Sequence, residues 1–233
     1  MTGAFETLGV VAGRLPLWDR HMARLRAAAD RLAIRFEPPP DLREQATALL
    51  ERHAHDVLRI SLDVGEDEAP RLDLATRARS QELVVALQPI RVSWDGPEAP
   101  AGFKATERMI YDRALAEARA AGADDALLLD RQGRLLETST ANVFVEVGGV
   151  ISTPALDGRI LPGIARAVLL DGLRSAGCSV MERDIDHGEL AAGGRVWVSN
   201  AVHGPRPAAI AGLVRPHEVG LLGQIWSEAT AAR

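Results

Sequence analysis

The chain has 233 residues, 47% of them hydrophobic and 25% charged, with a formal net charge of -5 and an isoelectric point near 5.7. That length buries a sizeable core in one large domain or two small ones, and the acidic balance argues against a sequence-independent nucleic-acid binder, which would carry a basic domain or stripe. No apolar run is long enough to span a bilayer and no signal-peptide pattern opens the chain, so a cytoplasmic protein without membrane partners is expected, and the single Cys178 permits neither an internal disulfide nor a Cys-rich zinc site.

Phe5–Val11 and Leu15–Leu17 read as two short strands about an Ala12-Gly13-Arg14 turn. Met22, Leu25, Ala29 and Leu32 then recur at helical spacing, with Asp19 as a cap. Pro38–Pro40 stop that helix and Leu42–Leu50 begins another. Strand-like runs follow at Val57–Val64, Arg71–Thr76 and Leu83–Val92, the first two separated by a solvated acidic loop at 65–68. Trp94–Gly102 holds two prolines and two glycines in nine residues and reads as a linker. Beyond it the pattern predicts a helix over Glu107–Ala121, a buried strand at Ala126–Leu129, and a run at Leu135–Val147 that turns at Gly148-Gly149 into Val150–Thr153. A helix over Gly163–Ser175, strands at Val180–Ile185 and Val196–Ser199, and a last helix over Glu218–Ala231 complete a mixed α/β chain with more hairpins than βαβ units.

One residue stands apart chemically. Of 27 basic residues only Lys104 is a lysine; the other 26 are arginines. Arginine replaces lysine as a surface charge or in an ion pair, but its guanidinium stays protonated and cannot serve as an amine nucleophile. The lone lysine is therefore either an accident of a GC-rich coding bias or an amine needed for Schiff-base chemistry with a carbonyl substrate or pyridoxal phosphate. Pyridoxal phosphate asks for a lysine, a partner for its ring nitrogen, a phosphate cradle and an apolar surface. After Lys104 come Glu137 in Leu135-Leu136-Glu137-Thr138-Ser139-Thr140-Ala141-Asn142-Val143-Phe144 and a helix-opening glycine in Ile160-Leu161-Pro162-Gly163-Ile164-Ala165-Arg166, whose N–H groups suit an anion.

These segments, with Trp197-Val198-Ser199-Asn200-Ala201-Val202-His203-Gly204 in the position of a second phosphate loop, give the chain a likeness over nearly its whole length. It resembles the class IV aminotransferase family, fold type IV pyridoxal phosphate enzymes that include branched-chain and D-amino acid aminotransferases and aminodeoxychorismate lyases. The resemblance implies an α/β fold of the α+β type, with a small N-terminal α/β domain (1–93), a linker (94–103) and a larger pseudo-barrel, cofactor-binding domain (104–233). It implies Lys104 as the Schiff-base lysine and proton shuttle, and Glu137 as partner of the pyridine nitrogen. Leu161 would lie against the ring, and Arg24, Gly163, Ile164, Ala165, Asn200 and Ala201 would hold the phosphate. Thr7, His203 and Arg206 are the candidates for substrate contacts, and His21 reads as structural. A homodimer with each site completed by a loop of the other subunit is also implied.

Three departures from the family pattern stand out. The chain starts almost at the Phe5-Glu6-Thr7 strand, Ala165 replaces a common threonine, and Met109 stands where branched-chain enzymes have a tyrosine. The stretch Ser199–Pro207 looks like the loop of aminodeoxychorismate lyases, with His203 in place of an arginine. This favours a lyase forming 4-aminobenzoate and pyruvate for folate synthesis. The alternatives are a transaminase of D-amino acids, branched-chain amino acids or amines with a 2-oxo acid, a pyridoxal phosphate-binding homologue without turnover, and a generic α/β interaction domain.

Overall fold

Alternation in Val57–Val64 sets the first sheet. In the computed structural model, which describes residues 2–65, 69–93 and 102–231, β2 (Val57–Val64) is central, flanked by β1 (Thr2–Gly9) and β3 (Arg71–Arg77), all antiparallel. Leu58, Ile60 and Leu62 share one face because strand side chains alternate. They bury with Leu8 against Met22, Leu25 and Ala29 of α1 (Trp18–Arg31) and Leu42, Ala46 and Leu50 of α2 (Leu42–His53).

Two local expectations fail in this region. Leu15–Leu17 is not a strand: Val11 and Arg14 exchange hydrogen bonds around the turn, and Leu17 enters the left-handed region (φ 58°) to start α1. Asp19 is not the cap either; it lies in the first turn, where its charge meets the positive end of the helix.

The second sheet has eight strands in the order β6-β5-β4-β11-β10-β7-β8-β9. Its members are β4 (Val85–Arg91), β5 (Asp125–Leu129), β6 (Leu135–Thr138), β7 (Asn142–Val147), β8 (Val150–Thr153), β9 (Val180–Glu182), β10 (Arg195–Asn200) and β11 (Gly204–Ile210). It is the curled sheet of fold type IV. α3 (Met109–Ala120) is the crossover between the parallel strands β4 and β5 and buries Tyr111, Ala114 and Ala118 over Ile90, Ala126 and Leu128. α4 (Ile164–Ser175) packs Leu169, Leu170 and Leu173 with Phe144, Trp197 and Leu222, the last from α5 (Gly220–Ala231).

β11 was not foreseen, because Pro205 and Pro207 argue against a strand. Within β11 it is Ala208–Ile210 that pair with β4, so the prolines fall in the part of β11 paired with β10. The expected continuous run at Leu135–Val147 is broken at residues 139–141, and Val180–Ile185 is strand only to Glu182.

The chain divides into two compact units, one of Met1–Gln81, Phe103–Glu107 and Glu228–Arg233, the other of Glu82–Gly102 and Arg108–Ser227. β4 thus goes with the second unit, where it finds both its partners, and Lys104 goes with the first. Of the expected linker, 94–101 lies outside the described residues, as does 66–68 of the acidic loop. No helix among the described residues is long and apolar enough to cross a membrane.

Candidate active site

In the first unit, Lys104 is held by backbone bonds to β1. The Phe5 amide donates to the Lys104 carbonyl (2.9 Å), the Thr106 amide donates to the Gly3 carbonyl (2.9 Å), and Ala4 and Ala105 form an antiparallel bridge. The half-buried Lys104 places Nζ 4.4 Å from the Phe5 ring centroid, and Arg59 Cζ lies 3.8 Å from the same centroid. Both cations meet the negative potential of the ring face.

Glu6, the next residue along β1, is 1% exposed and acts as an anchor for α1. Arg24 donates to it through Nε (2.7 Å) and Nη2 (2.8 Å), and His21 Nδ1 lies 2.7 Å from Oε2. Burial alone would push the Glu6 carboxyl up, but the charge and hydrogen bonds of Arg24, with the His21 bond, hold it down at about 2. Burial lowers the His21 pKa despite the carboxylate beside it. The imidazole is therefore neutral near pH 7 and donates from Nδ1. Arg24, expected on phosphate, is thus seen gripping Glu6, and His21 has the structural place expected of it. Thr7 is half-buried, opposite Arg59 in the β1–β2 register.

In the second unit, Glu137 lies at 3% exposure in β6. Tyr111 donates its hydroxyl to Oε1 (2.8 Å), while Asn142 Nδ2 and the Leu161 amide donate to Oε2 (3.1 Å each). Asn142 also donates to the Leu161 carbonyl (2.9 Å), tying β7 to the loop before α4. The turn that brings Asn142 back toward Glu137 is built on Asp125. This buried carboxylate accepts from the Thr138 (2.8 Å), Ser139 and Thr140 (2.6 Å) hydroxyls and from the Ala126 (2.8 Å) and Ser139 (3.2 Å) amides.

Gly163 is the N-cap of α4 and gives it no side-chain cap, so the first-turn amides, Ile164 and Ala165 among them, have no partner within the helix. Its backbone is extended and open to any residue (φ -70°, ψ 136°), but a Cβ there would overlap Asn142 Oδ1. On β10, Ser199 pairs with Asn142 across the β7–β10 ladder, and its buried Oγ has no hydrogen-bond partner among the described residues.

Asn200 organises the following loop: its Oδ1 accepts from the Val202 (3.1 Å) and His203 (3.0 Å) amides. Gly204 follows at φ +69°, and a Cβ there would overlap Trp226. His203 is half-buried. Arg206 donates to the Glu82 carbonyl at 3.5 Å, and its Nε is buried with no partner among the described residues. Burial lowers its pKa against the pull of Glu82, Asp125 and Asp124.

Asp125, Tyr111 and the amide of Asn142 are the parts sequence reasoning missed. Tyr111 was two residues from the position inspected, since Met109 itself is exposed. The donor set of this unit fits pyridoxal phosphate. A buried carboxylate held by three donors suits a ring nitrogen, and an uncapped helix end whose glycine leaves no room for a side chain, beside an unpartnered buried hydroxyl, suits an anionic phosphate.

Comparisons with known proteins agree. The amino-transferase class IV family profile matches residues 3–210. Aminodeoxychorismate lyase of Vibrio harveyi is 26% identical over 236 residues, spanning 89% of this chain and 82% of that protein. Branched-chain-amino-acid aminotransferase 6 of Arabidopsis thaliana is 41% identical over 80 residues; that alignment spans 34% of this chain and only 22% of the relative's length. The crystal structure of 4-amino-4-deoxychorismate lyase from Pseudomonas aeruginosa superposes with a TM-score of 0.79 at 27% identity, covering 97% of this chain and 89% of that one. The chain belongs to the class IV aminotransferases, a family of pyridoxal phosphate-dependent enzymes.

Proposed function

We propose that this enzyme is an aminodeoxychorismate lyase, releasing pyruvate and 4-aminobenzoate from its amino substrate. The observation that carries this reading is the reach of the likeness. The sequence similarity to one aminodeoxychorismate lyase runs through 89% of the chain, whereas the sequence alignment with branched-chain-amino-acid aminotransferase 6 covers 34%; solved branched-chain aminotransferases share the fold over 98% or more of the chain, so the fold itself does not separate the two. The Asn200-centred loop supports the lyase, since the Ser199–Pro207 stretch that resembles the loop of aminodeoxychorismate lyases is organised by an asparagine that accepts from two loop amides.

Lys104 is the Schiff-base residue and the proton carrier, Glu137 the partner of the ring nitrogen, and Leu161 the apolar contact. The phosphate falls to the amides of Ile164 and Ala165 after Gly163 and to the loop at Asn200 and Ala201, with Ser199 Oγ beside them. Arg24, which grips Glu6, is a further candidate for the phosphate. Once bound, the cofactor supplies an aldehyde for the substrate amine and an electron-withdrawing ring.

The chain's own work is proton handling and orientation. Lys104 Nζ takes the proton from the substrate carbon that bears nitrogen, and loss of the neighbouring enolpyruvyl ether then leaves an aromatic ring. Burial beside the Phe5 ring limits water around that amine. Thr7, His203 and Arg206 serve the substrate's carboxylates; the Arg206 Nε, buried without a partner, is the strongest of these because such a group gains most from an arriving anion. The protein acts as a cytoplasmic homodimer in this reading.

A transaminase would use the same lysine, so the test is the substrate. Pyruvate and 4-aminobenzoate release is assayed beside D-alanine and leucine with 2-oxoglutarate. Turnover of aminodeoxychorismate alone is expected. Turnover of D-alanine or leucine without it overturns the lyase, and no turnover of any donor by the cofactor-loaded protein indicates the non-catalytic homologue.

A further inference from the structure

The chain contains one tyrosine. Tyr111 sits in the first turn of α3, 8% exposed, with Ala114 and Ala118 on the same buried stripe over Ile90, Ala126 and Leu128. Its aromatic body is thus accounted for by packing; its hydroxyl is not. A buried phenol needs a partner, and the partner is Glu137 Oε1 at 2.8 Å. Arg108 lies over the ring, its Cζ 5.0 Å from the centroid, while its Nη2 donates to the Ser139 carbonyl (2.7 Å).

We propose that Tyr111 is a positioning residue: its hydroxyl keeps the Glu137 carboxylate ionised and aimed, so that the cofactor's ring nitrogen retains its proton. This rests on the reading of Glu137 as the partner of that nitrogen.

The argument is one of relative basicity. A proton shared by a pyridine nitrogen and a carboxylate goes to the stronger base, and each hydrogen bond donated to the carboxylate weakens it as a base. Asn142 and Leu161 both donate to Oε2, and Tyr111 donates to Oε1. A lysine or arginine in its place would add a charge that competes with the ring for the carboxylate. A phenol donates without adding one. Burial and the adjacent Glu137 charge push the Tyr111 pKa far up, so it remains a neutral donor wherever the protein is folded.

The test reads the ring nitrogen itself. Protein reconstituted with pyridoxal phosphate labelled with 15N in the ring is compared by NMR and by its visible absorption from pH 6 to 9, for wild type, Tyr111→Phe and Glu137→Gln. Because there is a single tyrosine, growth on 3-fluorotyrosine alters position 111 alone, with a more acidic phenol and hardly any change of shape. The expected result is a protonated nitrogen in wild type and a resonance displaced toward the unprotonated form in Tyr111→Phe. The fluorotyrosine protein should shift the visible band in the opposite sense, and kcat of Tyr111→Phe should fall roughly ten- to a hundredfold with KM little changed.

If Glu137→Gln changes the nitrogen signal while Tyr111→Phe and the fluorotyrosine protein match wild type, Tyr111 merely fills space and the inference is overturned with the reading of Glu137 intact. If Glu137→Gln matches wild type as well, that reading fails and the inference with it. Should Tyr111→Phe fold poorly, an unchanged spectrum in the fluorotyrosine protein is sufficient to overturn it.

Discussion

Glu6 is an acid held as a carboxylate in a place where almost no water reaches it. Its pKa of about 2, against 4.5 for the exposed group, means the folded state binds the proton less readily than the unfolded chain. The resulting stability is fully present above about pH 4.5 and is lost as pH falls toward 2. The shift corresponds to about 3 kcal/mol. His21 works in the same direction: its lowered pKa makes the unfolded chain the better proton acceptor, so its loss of stability begins as pH drops through about 6.5. Urea unfolding at a series of pH values should therefore show wild type losing its advantage over Glu6→Gln as pH falls from 5 to 3. At pH 7 the variant should be less stable, by about 3 kcal/mol, because a partly buried Arg24 loses its counter-charge. Parallel stability curves for the two proteins would show that the Glu6 carboxylate is not held down by Arg24.

At the scale of elements, the junction of β6, β7 and α4 illustrates what a sequence displays and what it hides. Glu137, Leu161 and Gly163 were legible because they lie in short stretches with a recognisable order. Asp125 and Tyr111 were not, because each acts on partners well removed along the chain: Asp125 on Thr138–Thr140, Tyr111 on Glu137. The break between β6 and β7 was invisible for the same reason. Thr138-Ser139-Thr140 reads as strand until a distant carboxylate gathers its three hydroxyls into a turn. Gly163 looked like a helix-start residue; the structure adds that its missing side chain makes room for Asn142. Gly163→Ala should force Asn142 aside and loosen its grip on Glu137 and the Leu161 carbonyl. An about tenfold weaker affinity for pyridoxal phosphate is expected, or ~1.4 kcal/mol, measured by titrating the apoprotein. In an Asn142→Ala background the same substitution should cost almost nothing, since the two act through one contact. Additive losses in the double variant would show that the glycine matters for some other reason.

For the whole molecule, the part that sequence periodicity could not supply is which strands meet. A hairpin was legible at β7–β8, where Gly148-Gly149 turns the chain, but β4 pairs with β11 from the other end of the chain. Within the large sheet, β4 and β5 are joined through α3 and β6 follows directly, while β7, β8, β10 and β11 are linked by antiparallel pairings of their own. The strand pairing between these two groups runs through Val85, Ala86 and Leu87 with Ala208, Ala209 and Ile210. The apolar cluster that includes Val85, Leu87, Leu127, Val143, Val198, Ala208 and Ile210 draws on both groups, so neither buries its face until that seam closes. Distant pairings pay loop-closure entropy before their contacts form and so come late. Pulse-labelled hydrogen exchange during refolding should find the β10–β11 and β4–β5 amides protected before those shared by β4 and β11. Ala209→Pro, which removes an amide at the seam, should slow formation of the complete sheet and leave the earlier phase unchanged. Simultaneous protection of seam and hairpin amides would mean instead that the eight strands assemble around β4 and β11 from the start.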